Sequence, residues 1–174
     1  MMEEIDPTPL TSVAGGDAAA ATGTEAPAAP FPSASWFQRL ADLMNDNRAR
    51  QEQLGYVDCV AGFRVLGSDG ARAFEVTFEE FSAIDVREAA EGDLRADFVL
   101  EATLAAWREM IEVIARGGGR PDLTHTLNHL SHRGTPFRLV SDDPLKSDLY
   151  FRYNQSLQEF VNASASFATT FPAE

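Results

Sequence analysis

The pattern of apolar and polar positions is clearest between residues 96 and 143. In residues 96–101, Phe98 and Leu100 alternate with Asp97, Val99 and Glu101. A period of two is typical of a strand with one buried face. We therefore place a strand here and expect the rest of the chain to pack around it and the elements that follow it.

Two helices and another strand are predicted after this strand. Thr103 stands at an N-cap position, and apolar residues then recur at helical spacing: Leu104, Trp107, Ile111 and Ile114. Three glycines at 117–119 end that helix, because glycine tolerates the left-handed cap conformation. A second helix opens at Pro121 and Asp122, with its core side formed by Leu123, Leu127 and Leu130. After Gly134, Phe137 and Leu139 indicate a strand.

The N-terminal third predicts a tail, a helix and three strands. Residues 1–32 are mostly Ala, Gly, Thr and Pro with scattered acids, a composition typical of a disordered tail. A helix begins near Ser33 or Ser35 and carries an apolar stripe: Trp36, Phe37, Leu40, Leu43 and Met44. Strands are expected at 57–66, 71–79 and 81–86, and a short polar turn at 67–70 joins the first two as a hairpin.

The second of these strands alternates most regularly. Its apolar face consists of Phe74, Val76 and Phe78, and its polar face consists of Glu75, Thr77 and Glu79. We expect the polar face, together with Arg138, to face water.

A closing helix is predicted from residues 142–144, where two acids precede a proline. Its apolar stripe would be Leu145, Leu149, Tyr153, Leu157 and Phe160 or Val161. Residues 166–174 should fray. The elements together predict one α+β domain over residues 33–165, with a five-stranded, mainly antiparallel sheet and helices covering one face.

Charge and composition limit the partners and the cellular compartment that we expect for the protein. The net charge is −13, and a body this acidic repels nucleic acid and anionic lipid headgroups, so we expect neither as a partner. No apolar run approaches the ~20 residues of a membrane span, and the acidic N-terminus lacks signal-peptide features. Cys59 is the single cysteine, and its place among apolar strand residues predicts a buried thiol. These features predict a cytoplasmic protein without stable membrane insertion.

Candidate catalytic or metal-binding groups are few. His125, His129 and His132 are spaced as one face of a helix, as a zinc or proton-transfer site would require. That face lies away from the leucine stripe, which favours the interpretation that the three histidines face solvent or another subunit. No nucleophile elbow or phosphate-binding loop is present, so we predict no cofactor and no metal. General acid or base chemistry would need Glu101, Tyr150 or Tyr153 to face a pocket.

The order of elements and several residues resemble the sterol carrier protein 2 family, over roughly residues 37–160. The likeness is carried by the strand at 96–98, which leads into a helix with the run 105–107 (Ala-Ala-Trp), and by the strand at 134–142 before Asp143, Pro144 and Leu145. Leu149 and Tyr150 are similar to the end of stand-alone bacterial members. The sequence departs from that pattern at Asp142, where a glycine is usual, and at Asp148, where an asparagine is common.

The resemblance implies a pocket between sheet and helices that binds and carries a fatty acyl, sterol-like or other apolar molecule. Seven residues on the inward faces are candidates for its wall or for plain core: Phe74, Val76, Phe98, Trp107, Ile111, Leu127 and Tyr153. We expect a carrier more than an enzyme. One alternative is a small cofactor-free enzyme, or the accessory subunit of one, that uses the same pocket. Another is an interaction module that dimerises through its acidic face or the histidine row. A homodimer or a partner enzyme is therefore a possible partner.

Overall fold

A five-stranded sheet with helices on one face forms the centre of the computed structural model, which describes residues 27–90, 92–132 and 134–173. Residues 1–26 of the predicted tail lie outside the described residues. In chain order the elements are β1 (Ala29–Pro30), α1 (Ala34–Asp46), α2 (Arg48–Leu54), β2 (Val57–Gly67), β3 (Gly70–Glu80), β4 (Ser82–Ala89), β5 (Phe98–Thr103), α3 (Leu104–Arg116), α4 (Leu127–Leu130), β6 (Arg138–Val140), α5 (Pro144–Arg152), α6 (Asn154–Asn162), a 3-10 helix (Ala163–Ser166) and β7 (Thr169–Thr170).

The sheet has the strand order β4-β3-β2-β5-β6, which confirms the predicted α+β class and five-stranded sheet. Three of its strand pairs are antiparallel, and β2 pairs with β5 in parallel, so the sheet is mixed. The parallel pair follows from the crossover, because the chain leaves edge strand β4 and passes over β3 and β2 before it enters β5.

The two strongest helix predictions are confirmed together with their caps. The Ser33 side chain accepts a hydrogen bond from the Trp36 backbone N–H at 3.1 Å and begins α1. Thr103 does the same for the Ala106 N–H at 3.2 Å and begins α3. Each cap satisfies a backbone donor that would otherwise lack a partner at the helix end.

The helix predicted from Pro121 is wrong over its first turn. Leu123, assigned to its core side, is 87% exposed, and the helix α4 spans only Leu127–Leu130. The reason is local: the Asp122 carboxylate accepts hydrogen bonds from the backbone N–H groups of Thr124 and His125, at 2.9 and 3.0 Å. An Asp side chain that bonds the backbone in this way stabilises a turn in competition with a helix.

The prediction of a single closing helix is also wrong, because Tyr153 separates two helices, α5 and α6. Leu145, expected on the apolar stripe, is 76% exposed, and Tyr150 is the buried residue of α5 instead. After the break, α6 buries Leu157, Phe160 and Val161 as expected.

The expectation of a solvated outer sheet face is wrong at Glu75, which is 3% exposed. The segment between β4 and β5 covers it, and the Glu75 carboxylate accepts a hydrogen bond from the Arg95 backbone N–H and pairs with the Arg87 guanidinium. Gly62 permits this close approach, since an added Cβ would lie 2.9 Å from a Val99 methyl and 3.0 Å from the Ala96 Cβ. Strand alternation alone does not predict what a connecting segment will cover.

The two ends of the described chain pair with each other as β1 and β7, in parallel. Backbone hydrogen bonds join the Ala29 N–H to the Ala168 carbonyl at 2.9 Å and the Phe31 N–H to the Thr170 carbonyl at 2.8 Å. We call these two short strands the terminal pair. These strands fall in stretches for which the sequence analysis predicts a disordered tail and a frayed C-terminal end.

Replacing Glu75 tests the anchoring of the crossover. We expect Glu75→Ala to lower the free energy of unfolding by about 2–3 kcal/mol, because it removes the partner of Arg87 and of a backbone N–H. The matched control is Glu79→Ala, an exposed acid on the same strand, for which we expect a change within about 0.5 kcal/mol. Urea unfolding followed by circular dichroism measures both, and equal effects would contradict the anchoring role.

Candidate functional site

Large rings from both the sheet and the helices meet in one layer between them. We call this set the aromatic layer. Each of its members is at most 2% exposed: Phe31, Trp36, Phe37, Phe63, Phe74, Phe78, Phe98, Trp107, Phe137, Tyr150 and Phe160. The Phe37 ring centroid lies 5.0 Å from that of Phe63 and 4.9 Å from that of Phe74. Such distances are typical of favourable ring pairs. Aromatic contacts therefore connect the sheet directly to the helices.

Of the seven predicted wall residues, Phe74, Phe98 and Trp107 belong to this layer, and the other four lie in or against the same core. Phe74, Val76 and Phe98 come from the sheet, and Trp107 and Ile111 come from α3. The other two are Leu127, on α4, and Tyr153, between α5 and α6. Tyr153 is partly exposed and the other six are buried in the same core cluster. Their part in a pocket stays a prediction.

A cleft of about 490 Å³ opens at one end of the aromatic layer, between the β2–β3 hairpin and the first turn of α3. We call it the hairpin cleft. Its wall includes Pro32, Val65, Leu66, Arg72, Thr103, Leu104, Ala105 and Pro172. Val65 is 2% exposed and belongs to the core, and Leu104 packs against it. The floor of the cleft is thus continuous with the buried apolar layer.

The terminal pair closes this end of the layer. Phe31, directly before Pro32, places its ring 6.0 Å from Trp107 and 5.9 Å from Phe171. The Trp36 indole N–H donates to the Thr169 hydroxyl at 3.0 Å. The Arg108 guanidinium lies 5.2 Å from the centre of the Phe171 ring, a cation–π distance. Both chain ends are therefore fixed against the aromatic layer beside the cleft.

Sequence reasoning missed this closing segment and the hairpin cleft. A signal was present, since Phe31, Phe167 and Phe171 are large rings in stretches otherwise rich in Ala, Pro, Ser and Thr. Isolated aromatic residues have no periodicity, so a search for helix or strand spacing passes over them.

Two buried titratable groups beside the layer remain protonated at neutral pH. Burial raises the pKa of the Cys59 thiol to about 12, with smaller contributions from Asp97 and Asp58, and the burial predicted for this residue is confirmed. Burial also raises the pKa of Tyr150. The Tyr150 hydroxyl lies 2.8 Å from that of Ser131, which in turn donates to the Leu127 carbonyl at 2.6 Å. This hydrogen-bonded pair ties α5 to the end of α4.

Glu101 lies on the outer face of the sheet, away from the aromatic layer. Its carboxylate oxygens bond the Arg64 guanidinium at 3.0 Å and the Arg138 guanidinium at 3.1 Å. The side chain is only 11% exposed, so these ion pairs provide the partners that a buried carboxylate requires. Glu101 therefore joins three neighbouring strands and does not face a pocket between sheet and helices.

The three histidines do not form a helical row, since His125 precedes α4 and His132 follows it. His125 Nδ1 lies 2.7 Å from the Asp122 carboxylate, and Nε2 lies 3.4 Å from that of Glu109 on α3. The hydrogen bond to Asp122 is the main cause that raises the pKa of His125, and Glu109 adds to it. Among the described residues, no group of three or more His, Cys, Asp or Glu side chains could hold a metal ion.

Comparison with solved structures identifies the fold. A crystal structure of sterol carrier protein 2 matches with a TM-score of 0.57, covering 77% of this chain and 96% of that one. The fold is that of sterol carrier protein 2. A solution structure of a protein from Thermus thermophilus, described as possibly a sterol carrier protein, matches with a TM-score of 0.56 over 81% of this chain and 91% of its own. Identity is 21% in both cases, so the likeness confirms the fold alone.

Sequence comparisons add no family. No protein-family model matches the chain. No curated protein matches it either. Within the described residues, none of the helices is long and apolar enough to cross a membrane.

The contacts of His125 predict a pH-dependent contribution to stability. Because the folded-state pKa is raised, the stabilisation is complete below the unfolded pKa of about 6.5 and is lost as pH rises through the folded pKa. We expect the melting temperature of the native protein to exceed that of His125→Gln most at about pH 6, with the difference shrinking toward about pH 8.5. The exposed His129 provides the control His129→Gln. A difference from H125Q that is independent of pH would show that ionisation plays no part.

Proposed function

We propose that the protein binds and carries a hydrophobic small molecule, such as a fatty acyl, sterol-like or other apolar metabolite, between its sheet and its helices. The observation that carries the proposal is the hairpin cleft, whose wall includes the core residue Val65, in a fold of the sterol carrier type. None of the seven predicted wall residues lines this cleft itself. Its volume of about 490 Å³ falls within the roughly 300–1,000 Å³ of small-molecule pockets.

The inner end of the binding site would be formed by the aromatic layer itself. Apolar side chains on facing elements suit an apolar ligand, because both surfaces leave water on binding. We propose the seven inward residues as the wall that such a ligand reaches: Phe74, Val76, Phe98, Trp107, Ile111, Leu127 and Tyr153. Since the rings of the layer are buried and in contact with one another, deep binding would require the terminal pair and Phe31 to move aside.

Two observations support carriage over nucleophilic or base catalysis: Glu101 lies on the outer face of the sheet in ion pairs, and the titratable groups Cys59 and Tyr150 are buried. A thiolate or a phenolate would be needed for nucleophilic or base chemistry at Cys59 or Tyr150, and burial keeps both groups protonated. We propose that the carrier is cytoplasmic, because a single free cysteine suits a reducing compartment. The recipient of the ligand would be a partner enzyme or a second copy of the chain.

The first experiment is native mass spectrometry of the gently purified full chain, followed by displacement of a fluorescent fatty acid. We expect an apolar adduct at one molecule per chain and saturable displacement by unlabelled fatty acid. A photoreactive fatty acid should label the seven proposed wall residues. A mass without adduct, together with rejection of fatty acid and sterol probes, would contradict the proposal.

A pair of variants on one helix locates the entrance. Ala105 lines the hairpin cleft and is exposed on the first turn of α3, whereas Ala115 is exposed near the end of the same helix. We expect Ala105→Trp to fill the cleft and weaken fatty acid binding at least about tenfold. Ala115→Trp, the matched control, should bind as the native protein does. Equal affinity for both variants would place the entrance elsewhere.

A further inference from the structure

Arg72 lies in the wall of the hairpin cleft, on the same face of β3 as the aromatic layer. It precedes Phe74 by two residues, and side chains two apart along a strand point to the same side of the sheet. Its guanidinium lies 5.2 Å from the centre of the Phe74 ring, a cation–π distance. Its partner on β2 is Val65, the core residue of the cleft wall. A cation therefore lies where the apolar layer meets the cleft.

Glu88 on β4 holds the Arg72 guanidinium in a fixed orientation. Nε and Nη2 donate to the two carboxylate oxygens of Glu88, at 2.8 and 2.9 Å. Two parallel hydrogen bonds of this kind fix the plane of the guanidinium as well as its position. Both side chains are nearly half exposed, so the ion pair by itself contributes little to the free energy of unfolding. Its effect is to orient the remaining N–H groups of Arg72.

One of those N–H groups binds the segment that carries Phe31. Nη1 of Arg72 donates to the backbone carbonyl of Pro32, which also lines the hairpin cleft. Phe31, the residue before it, is buried and packs against Trp107. The Phe31 backbone N–H donates in turn to the Thr170 carbonyl in the terminal pair. Arg72 therefore ties the sheet to the segment that closes this end of the aromatic layer.

A second arginine holds the beginning of the same segment. Arg39 on α1 donates to the Pro27 carbonyl at 2.6 Å, and its guanidinium lies 4.8 Å from the centre of the Phe167 ring. Neither Arg39 nor Pro27 lines the hairpin cleft, whereas Arg72 and Pro32 both do. Movement of the segment away from the cleft therefore breaks the Arg72 bond, while the Arg39 bond holds the start of the segment in place.

We propose that Arg72 controls how fast an apolar ligand enters and leaves through the hairpin cleft, by holding Pro32 and the adjoining Phe31 in the closed position. This inference rests on the carrier function proposed above. The bond between Arg72 and Pro32 re-forms once the ligand is inside, so it stabilises the free and the loaded protein equally. The arginine therefore slows entry and exit by the same factor and leaves the affinity unchanged.

The first measurement needs no ligand. It is native-state hydrogen exchange of the backbone amides of Ala29 and Phe31, which are both hydrogen-bonded in the terminal pair. We expect Arg72→Gln to raise both exchange rates at least about fivefold, because a bond from a charged donor is lost and the segment opens more often. Exchange in the core strands β2 and β3 should change by less than about twofold, since the altered side chain is at the surface.

Arg48→Gln is the matched control, because it removes the same kinds of contact away from the cleft. Arg48 on α2 bonds Glu52 at 3.1 Å, and its guanidinium lies 5.3 Å from the centre of the Phe81 ring. None of these three residues lines the hairpin cleft. The two terminal-pair amides should exchange in this variant as they do in the native protein.

A variant of the ion-pair partner tests the same role without changing Arg72. Glu88→Gln should also raise exchange of the two amides, because the guanidinium is held less firmly. It should add nothing when Arg72→Gln is already present, since Glu88 acts through Arg72. If Arg72→Gln fails to fold, Glu88→Gln decides the question. Exchange that rises equally in the terminal pair and in the core strands would reduce the role of Arg72 to general stability.

Stopped-flow mixing with a fluorescent fatty acid tests the consequence for the carrier. In Arg72→Gln the association and dissociation rate constants should each rise at least about fivefold, with the dissociation constant within about twofold of the native value. Faster exchange with unchanged ligand rates would mean that the ligand enters elsewhere, and unchanged exchange would mean that Arg72 does not hold the segment. If no apolar ligand binds, the carrier function fails, and hydrogen exchange still decides whether Arg72 holds the segment.

Discussion

The packing of aromatic rings between sheet and helices is the interaction on which the rest of the structure depends. Phe37 on α1 contacts Phe63 and Phe74 on two strands, and Phe160 on α6 lies 5.1 Å from Phe78. Each buried ring contributes roughly 1.5–3 kcal/mol, and a well-placed ring pair adds about 0.5–1.5 kcal/mol. The same rings hold the terminal pair, because Phe31 joins the layer from the N-terminal side. The contacts that stabilise the fold are therefore the same contacts that an entering ligand would have to disturb.

This coupling limits how an apolar ligand can enter. A ligand that displaced α1 or α3 would have to replace many ring contacts at once. The terminal pair consists of two-residue strands joined by a few backbone hydrogen bonds, with the Trp36–Thr169 bond beside them. Local opening in proteins begins where few contacts hold a segment, so we expect this short pair to open more readily than α1 or α3. The hairpin cleft lies at the same end of the layer, which is the physical reason to place the entrance there.

Local patterns in the sequence were sufficient for the sheet and for the helices α1 and α3. Ser33 and Thr103 could be read as caps because capping uses residues within three positions of each other. The failures share a cause. Burial of Glu75 depends on a crossover segment, and the turn at Asp122 depends on one carboxylate that bonds the backbone more favourably than a helix would. Neither competition leaves a periodic pattern. The candidate site was predictable only in part for the same reason: the hairpin cleft combines residues that are distant in the chain and share no motif, so only the packed structure brings them together.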